Sequence, residues 1–248
     1  MALIAQLTDP HLRDDGADPC HDPKAAMRQA FAKIAAMDRR PDAIVLTGDI
    51  IDRSAKGYAH AIPILREAPV PLVPLPGNHD DAAGFRTAFE DRAEFACDHL
   101  SFTMQIADLR LIALDTTLPD GRTGLDATRL DWLAGVLGNL QLPSLLALHH
   151  PPFPTLPLHL DEPGFQNAGA LSRLLTDSSV RRIIAGHSHR AIQTVWAGRL
   201  ASTAPAIGHG LSLSLTGMES KKPVRLAPAF DLHMTGLHEN ISHHMMLD

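Results

Sequence analysis

Five times along this chain a short apolar run breaks off at a cluster of Asp, Asn or His. Leu3–Leu7 leads to Asp9-Pro10-His11, Ala43–Leu46 to Gly48-Asp49, and Leu72–Leu75 to Gly77-Asn78-His79-Asp80. Ser144–His149 runs into His150-Pro151-Pro152, and Arg182–Ala185 into Gly186-His187-Ser188-His189. Such short apolar runs, bounded by Gly or Pro, read as buried strands. Amphipathic segments follow each of the first three, Lys24–Met37, Ala55–Glu67 and Ala82–Asp91, and read as helices. The β-α-β-α-β order predicts an α/β sheet with crossover helices. In open sheets of this kind ligands gather at the carboxyl ends of strands, so the five polar clusters are expected along one rim.

The second half is richer in strands. Ser101–Ile106, Leu109–Leu114, Ala191–Trp196, Arg199–Ser202, Leu211–Leu215, Phe230–Met234 and Ile241–Leu247 read as strands, with helices at Asp126–Leu137 and Ala170–Leu175. Phe153–Gly169, with its prolines and glycines, reads as a surface loop. No repeat or linker divides the chain, so residues 1–248 are expected to form one domain with two sheets. With 45% apolar residues in 248, a large core is available without disulfides, and Cys20 and Cys97 read as two reduced thiols. The N-terminal apolar run is about five residues long, too short for a signal-peptide core or a bilayer span. A soluble, cytoplasmic protein is the expectation. A net charge of −6 with no basic stripe argues against an extended nucleic-acid surface.

Taken singly, each polar cluster has an ordinary reading. Asp49 would suit a helix N-cap, Asn78 a turn, and any one histidine a core or surface position. Taken together, Asp9, His11, Asp49, Asn78, His149, His187 and His189 supply two carboxylates, four imidazoles and one amide. That mixture suits Mn, Fe, Co or Zn and departs from the cysteine-rich structural zinc site. Seven ligands exceed one tetrahedral ion. They suit two ions bridged by a carboxylate, an arrangement used for phosphoryl chemistry. Read as extended chain, Asp9/His11 and His187/His189 each share a face, whereas His149 and His150 face opposite ways, so that only one of them meets a given ion. Asp52, three residues beyond Asp49, reads as a group that orients a ligand, and His79 as one that faces substrate.

The motifs Asp9-x-His11, Gly48-Asp49-x-x-Asp52-Arg53, Gly77-Asn78-His79-Asp80, His149-His150-Pro151 and Gly186-His187-x-His189 together resemble the calcineurin-like metallophosphoesterase superfamily. Thr8–Leu12, His149–Phe153, Gly186–Arg190, Ala201–Pro205 and Pro228–His233 are similar, more narrowly, to class III cyclic nucleotide phosphodiesterases and bacterial glycerophosphodiesterases. The resemblance implies a four-layer α/β/β/α sandwich and a dinuclear site. It implies Asp9, His11, Asp49 and His189 on the first ion, and Asp49, Asn78, His149 and His187 on the second, with His149 rather than His150 as ligand. A hydroxide between the ions would attack phosphorus in line, while His79 stabilises the transition state or protonates the leaving oxygen. Asp52, Asp80, His150, Arg13 and Arg190 would orient these groups or meet substrate, Arg13 and Arg190 reading equally as solvated surface arginines; Asp161 and Asn167 read as plain loop residues, with pocket lining as the alternative. The implied substrate is a small phosphodiester, a 3',5'-cyclic nucleotide or a glycerophosphodiester, and the implied assembly a homodimer. Rival readings are a phosphomonoesterase or nucleotidase on the same scaffold, a metal-dependent nuclease, and a non-catalytic binding module. His238, His243 and His244 fall outside the strand-end pattern and are read as surface or dimer-contact residues.

Overall fold

The computed structural model describes residues 1–14, 18, 20, 22–53, 57–139, 142–156, 161, 163–216, 222–237 and 239–247. In chain order the first half comprises β1 (Ala2–Leu7), α1 (Pro23–Ala35), β2 (Ala43–Thr47), α2 (Ile62–Leu65), β3 (Leu72–Leu75) and α3 (Ala82–Phe89). Next come β4 (Phe102–Ile106), β5 (Leu109–Leu114), α4 (Ala127–Gly138), β6 (Ser144–Leu148), α5 (Ala168–Leu175), β7 (Val180–Ala185), β8 (Ile192–Trp196) and β9 (Arg199–Thr203). The short strands β10 (Gly210–Leu211) and β11 (Pro223–Val224) precede β12 (Ala229–Thr235) and β13 (Asn240–Met246). One sheet has the order β13-β12-β1-β2-β3 and the other β4-β5-β6-β7-β9-β8. The crossover pairs β1/β2, β2/β3, β5/β6 and β6/β7 are all parallel.

The period-2 alternation of side chains along each strand sorts them into layers. In β1, Leu3, Ala5 and Leu7 pack with Met27, Phe31 and Ile34 of α1, while Ala2 and Ile4 face the second sheet. In β6, Leu145 and Ala147 face the first sheet, while Leu146 and Leu148 pack with Leu133 of α4 and Leu171 and Leu175 of α5. The result is the four-layer α/β/β/α sandwich. Caps set the starts of three helices: the carboxylates of Asp22, Asp81 and Asp126 accept backbone N–H groups from the first turns of α1, α3 and α4.

Two expected elements differ. The helix expected at Ala55–Glu67 is reduced to α2, with Ser54–Lys56 outside the described residues. Pro63 explains the start, because proline lacks the N–H that a helix interior requires and fits only the first turn. The strand expected at Leu211–Leu215 keeps only β10, paired with β11. Beyond it Leu213 and Leu215 are exposed. Among the described residues no helix is long and apolar enough to cross a membrane.

Candidate metal centre

The carboxyl ends of β1, β2, β3, β6 and β7 converge as the apolar runs implied. The loops after β1 and β2 continue their parallel pairing: Asp9 N donates to Gly48 O (3.1 Å), His11 N to Asp49 O (3.0 Å) and Leu12 N to Ile50 O (2.9 Å). Asp9, His11, Asp49 and His189, all buried, form one group whose ligand atoms lie within 4.8 Å of one another. His11 Nε2 is 3.5 Å from Asp49 Oδ2, and His189 Nε2 is 3.3 Å from Asp9 Oδ1. Asp9 Oδ2 accepts Thr8 Oγ1 (2.6 Å) and His187 N (3.0 Å), whereas Asp9 Oδ1 is buried without a hydrogen-bond partner.

The second group adjoins the first through Asp49. His149 Nε2 is 3.4 Å from Asp49 Oδ1 and 3.1 Å from Asn78 Oδ1. His150 Nε2 also reaches Asn78 Oδ1, at 3.0 Å, and His149, His150 and His187 form a triad of ligand atoms within 4.8 Å. This corrects the expectation that His149 and His150 face opposite ways. Both follow the last residue of β6, where the strand alternation no longer holds, and their rings stand 4.7 Å apart, edge to face. The extended reading of His187 and His189 is corrected too. Both have left-handed backbone, φ 68° and 54°, and they divide between the two groups. Asp9, His11 and Asp49 are left-handed as well, φ 50°, 45° and 49°. For non-glycine residues this region is sparsely populated, and strain of this kind collects at functional sites.

The donor set fits cations. His149 Nδ1 donates to Thr47 O (2.8 Å) and His189 Nδ1 to His209 O (2.7 Å). In each neutral ring this leaves Nε2 as a lone pair turned into the cluster. His189 Nε2 stands only 3.1 Å from His11 Nε2, beside the unpartnered Asp9 Oδ1, so three atoms able to ligate a metal crowd one point. Burial alone would depress the His149 imidazole, but the charges of Asp49 and then Asp9 outweigh it and lift it to about 9. Cations taking the place of such protons would make metal uptake release acid.

The surrounding residues hold these groups in place. A β-carbon at Gly77 would overlap Asp49 Oδ1, and one at Gly186 would overlap Thr8 Oγ1, so glycine is required for the close approach of both loops. Asp80 ties the loops after β2 and β3 together. It accepts Ile50 N and Gly77 N on Oδ2, and Ile51 N and the Tyr58 hydroxyl on Oδ1. Its carboxyl is pushed up to about 6 by its enclosure and then by the Asp49 charge. Asp80→Ala is expected to cost about 3 kcal/mol in urea unfolding of the metal-free protein, since it strands three backbone donors; an unchanged midpoint would show that water replaces the carboxylate.

Asp52 accepts His79 Nδ1 at 2.7 Å and Arg13 Nη1 at 2.8 Å. His11, 3.8 Å away, and His79 together hold its carboxyl well below the usual range. His11, Arg13, Asp52, His79, His187 and His189 line a cavity of about 260 Å³. Arg190 is not among the described residues lining it, because its Nε donates to Leu211 O. Asn167 braces the start of α5 through Leu125 O, and both Asp161 oxygens are engaged by Thr155 and Leu156. His244 pairs with Asp231 at 2.9 Å, and His238 lies outside the described residues.

Two parts of the site escaped the sequence reading. His209 lines the same cavity, its ring 5.0 Å from His189 and its Nδ1 2.9 Å from Asp18 Oδ2. Gln6, on the inter-sheet face of β1, donates through Nε2 to Thr47 Oγ1 and Ala185 O and accepts His233 Nε2. One amide thereby joins the last residues of β2 and β7 beneath both groups.

Two adjoining groups of His and Asp at the strand ends of an α/β/β/α sandwich define a metallophosphoesterase. The chain belongs to the calcineurin-like phosphoesterase family, whose model matches residues 2–191. It is 31% identical over 213 residues to a probable cyclic nucleotide phosphodiesterase of Rhodococcus erythropolis, covering 82% of this chain and 69% of the relative. To a probable glycerophosphodiester phosphodiesterase GpdQ of Arcobacter nitrofigilis it is 29% identical over 243 residues, covering 93% and 88%. A dimetal phosphatase from Danio rerio shares the fold, with a TM-score of 0.67 at 16% identity over 100% of this chain and 99% of that one.

Proposed function

We propose that this chain is a dinuclear-metal-dependent phosphodiesterase acting on small phosphodiesters, either 3',5'-cyclic nucleotides or glycerophosphodiesters. The observation that carries the reading is Asp49, whose Oδ2 faces the Asp9/His11/His189 group and whose Oδ1 faces His149, as a bridging carboxylate must. The diester class is supported by the two relatives, which are 31% and 29% identical. Asp9, His11, Asp49 and His189 hold one ion, of Mn, Fe, Co or Zn type. Asp49, Asn78, His149 and His187 hold the other, with His150 fixing the Asn78 amide.

Bound cations would act as Lewis acids and lower the pKa of a water at the site. The chain's own groups do the rest. Asp52 accepts the Nδ1 proton of His79 and fixes its tautomer, leaving Nε2 for the substrate. There the protonated ring, which carries a second proton on Nε2, donates to a non-bridging oxygen, where charge develops, or passes that proton to the leaving oxygen. Arg13, anchored on Asp52, adds positive charge to the same cavity.

The test is hydrolysis of bis(p-nitrophenyl) phosphate and p-nitrophenyl phosphate side by side by metal-stripped, Mn²⁺-reconstituted protein. A higher kcat/KM on the diester is expected. A monoester preference would make the chain a phosphomonoesterase or nucleotidase, and no turnover of either with both ions bound would make it a binding module. Asn78→Ala is expected to weaken the second ion by ~10–100-fold and leave the first in place, seen by Mn²⁺ titration. Two tightly bound ions and full activity in that variant would remove Asn78 from the ligand set.

A further inference from the structure

Two cavities meet at His187. One is the charged cleft of about 260 Å³, which carries Arg13, Asp18, Asp49 and Asp52. The other, of about 210 Å³, shares only His187 with it among the described lining residues, and is walled by His150, Pro152, Phe153, Phe165 and Ala168.

Three polar side chains around the second cavity are already engaged. Asp161 lines it, but its Oδ1 accepts Thr155 N and Oγ1, and its Oδ2 accepts Thr155 N and Leu156 N. Thr123 Oγ1 donates to Gly164 O. His150 holds Thr116 Oγ1 on one ring nitrogen and Asn78 Oδ1 on the other. Among the described lining residues Asp161 is the one carboxylate, and Pro151, Pro152, Pro154, Phe153 and Phe165 supply the apolar wall. Two of the cavity's walls are held by the fold. Phe153 is buried in the core with α4 and α5. Phe165 is fixed by its neighbour Gln166, which bridges Gly124 through Gln166 N to Thr123 O (2.9 Å) and Leu125 N to Gln166 O (3.1 Å). Gly124, at φ 126°, allows that approach, since a β-carbon there would overlap the Gln166 backbone.

We propose that this second cavity is the subsite for an apolar arm, an aryl or short alkyl group, of a phosphodiester whose phosphate sits beside His187. The inference rests on the phosphodiesterase reading and narrows it. A diester sends two arms from one phosphorus, and a phosphate beside His187 has a cavity available to each, one carrying Arg13, Asp18, Asp49 and Asp52 and the other walled largely by proline and phenylalanine. A monoester has one arm and leaves one cavity empty. The preferred substrate class is an unsymmetrical diester, with one polar arm in the charged cleft and one aromatic or apolar arm between Phe153 and Phe165. The apolar wall of proline and phenylalanine favours such an arm through burial.

The test is calorimetric binding of phenylphosphonate and methylphosphonate to the Mn²⁺-loaded protein, a readout independent of turnover. The wild type is expected to bind phenylphosphonate ~10-fold or more tightly than methylphosphonate. Phe165→Ala should bring the two within ~2-fold while methylphosphonate binding stays unchanged, and Ala168→Phe, which fills the cavity, should do the same. Equal binding by the wild type would overturn the proposal. So would a phenyl preference that survives both substitutions, because the ring would then lie in the charged cleft. If the phenyl preference holds and no diester is hydrolysed, the phosphodiesterase reading fails and the subsite stands. If diesters turn over without a phenyl preference, the subsite alone fails.

Discussion

Asp49→Ala is expected to lower occupancy at both metal positions and to reduce diester turnover by ~10³-fold or more, because stabilisation of developing charge departs with the ions. No other proposed ligand faces both groups. Its Oδ2 lies 3.5 Å from His11 Nε2, and its Oδ1 lies 3.4 Å from His149 Nε2. Oδ1 also accepts His79 N at 2.8 Å, so the same carboxylate fixes the backbone of the proposed substrate-facing histidine. In the metal-free protein the substitution removes the charge that does most to hold His149 protonated. The fold should survive, since the strand ladders end before this loop. Metal analysis after gel filtration, together with circular dichroism, checks both halves. Two retained ions in a folded Asp49→Ala variant would show that Asp49 does not bridge.

His79→Ala should behave in the opposite way: two ions retained, with kcat lowered by ~10²–10³-fold. His79 is half-buried, lines the charged cleft and gives its Nδ1 proton to Asp52; it clusters with His11 and Asp52 and is not in either ligand set of the proposed centre. Burial lowers its imidazole pKa, with Asp49 opposing, so the form that carries an Nε2 proton is lost as pH rises. A loss confined to kcat, with Mn²⁺ affinity unchanged, separates a group that meets the substrate from one that holds metal. A near-normal rate would remove His79 from the mechanism, and loss of one ion would make it a ligand.

The layers and the rim were legible because each buried strand announces itself as a short apolar run, and metal-competent side chains stand where the runs stop. The pairing of ligands within that rim was less legible. Five of the proposed ligands, Asp9, His11, Asp49, His187 and His189, adopt positive φ without being glycine. No local residue preference signals that conformation, so an extended i, i+2 reading groups Asp9 with His11 but fails to part His187 from His189. The convergence of His149 and His150 on Asn78 also depends on how the chain leaves β6. Gln6 and His233 were hidden for a different reason. They lie 227 positions apart and meet only because β12 pairs antiparallel with β1, a register that no spacing encodes. His209 reaches the cleft through Asp18, 191 positions away. Helix α2 shows that amphipathic spacing yields to a single proline.

The most direct test of the two-ion account is a titration of the metal-stripped protein with Mn²⁺, in which bound ions and bis(p-nitrophenyl) phosphate hydrolysis are followed together. The account predicts two tightly held ions per chain, proton release on uptake, and activity completed only by the second equivalent. A single ion at saturation, or hydrolysis undiminished in the stripped protein, would contradict it.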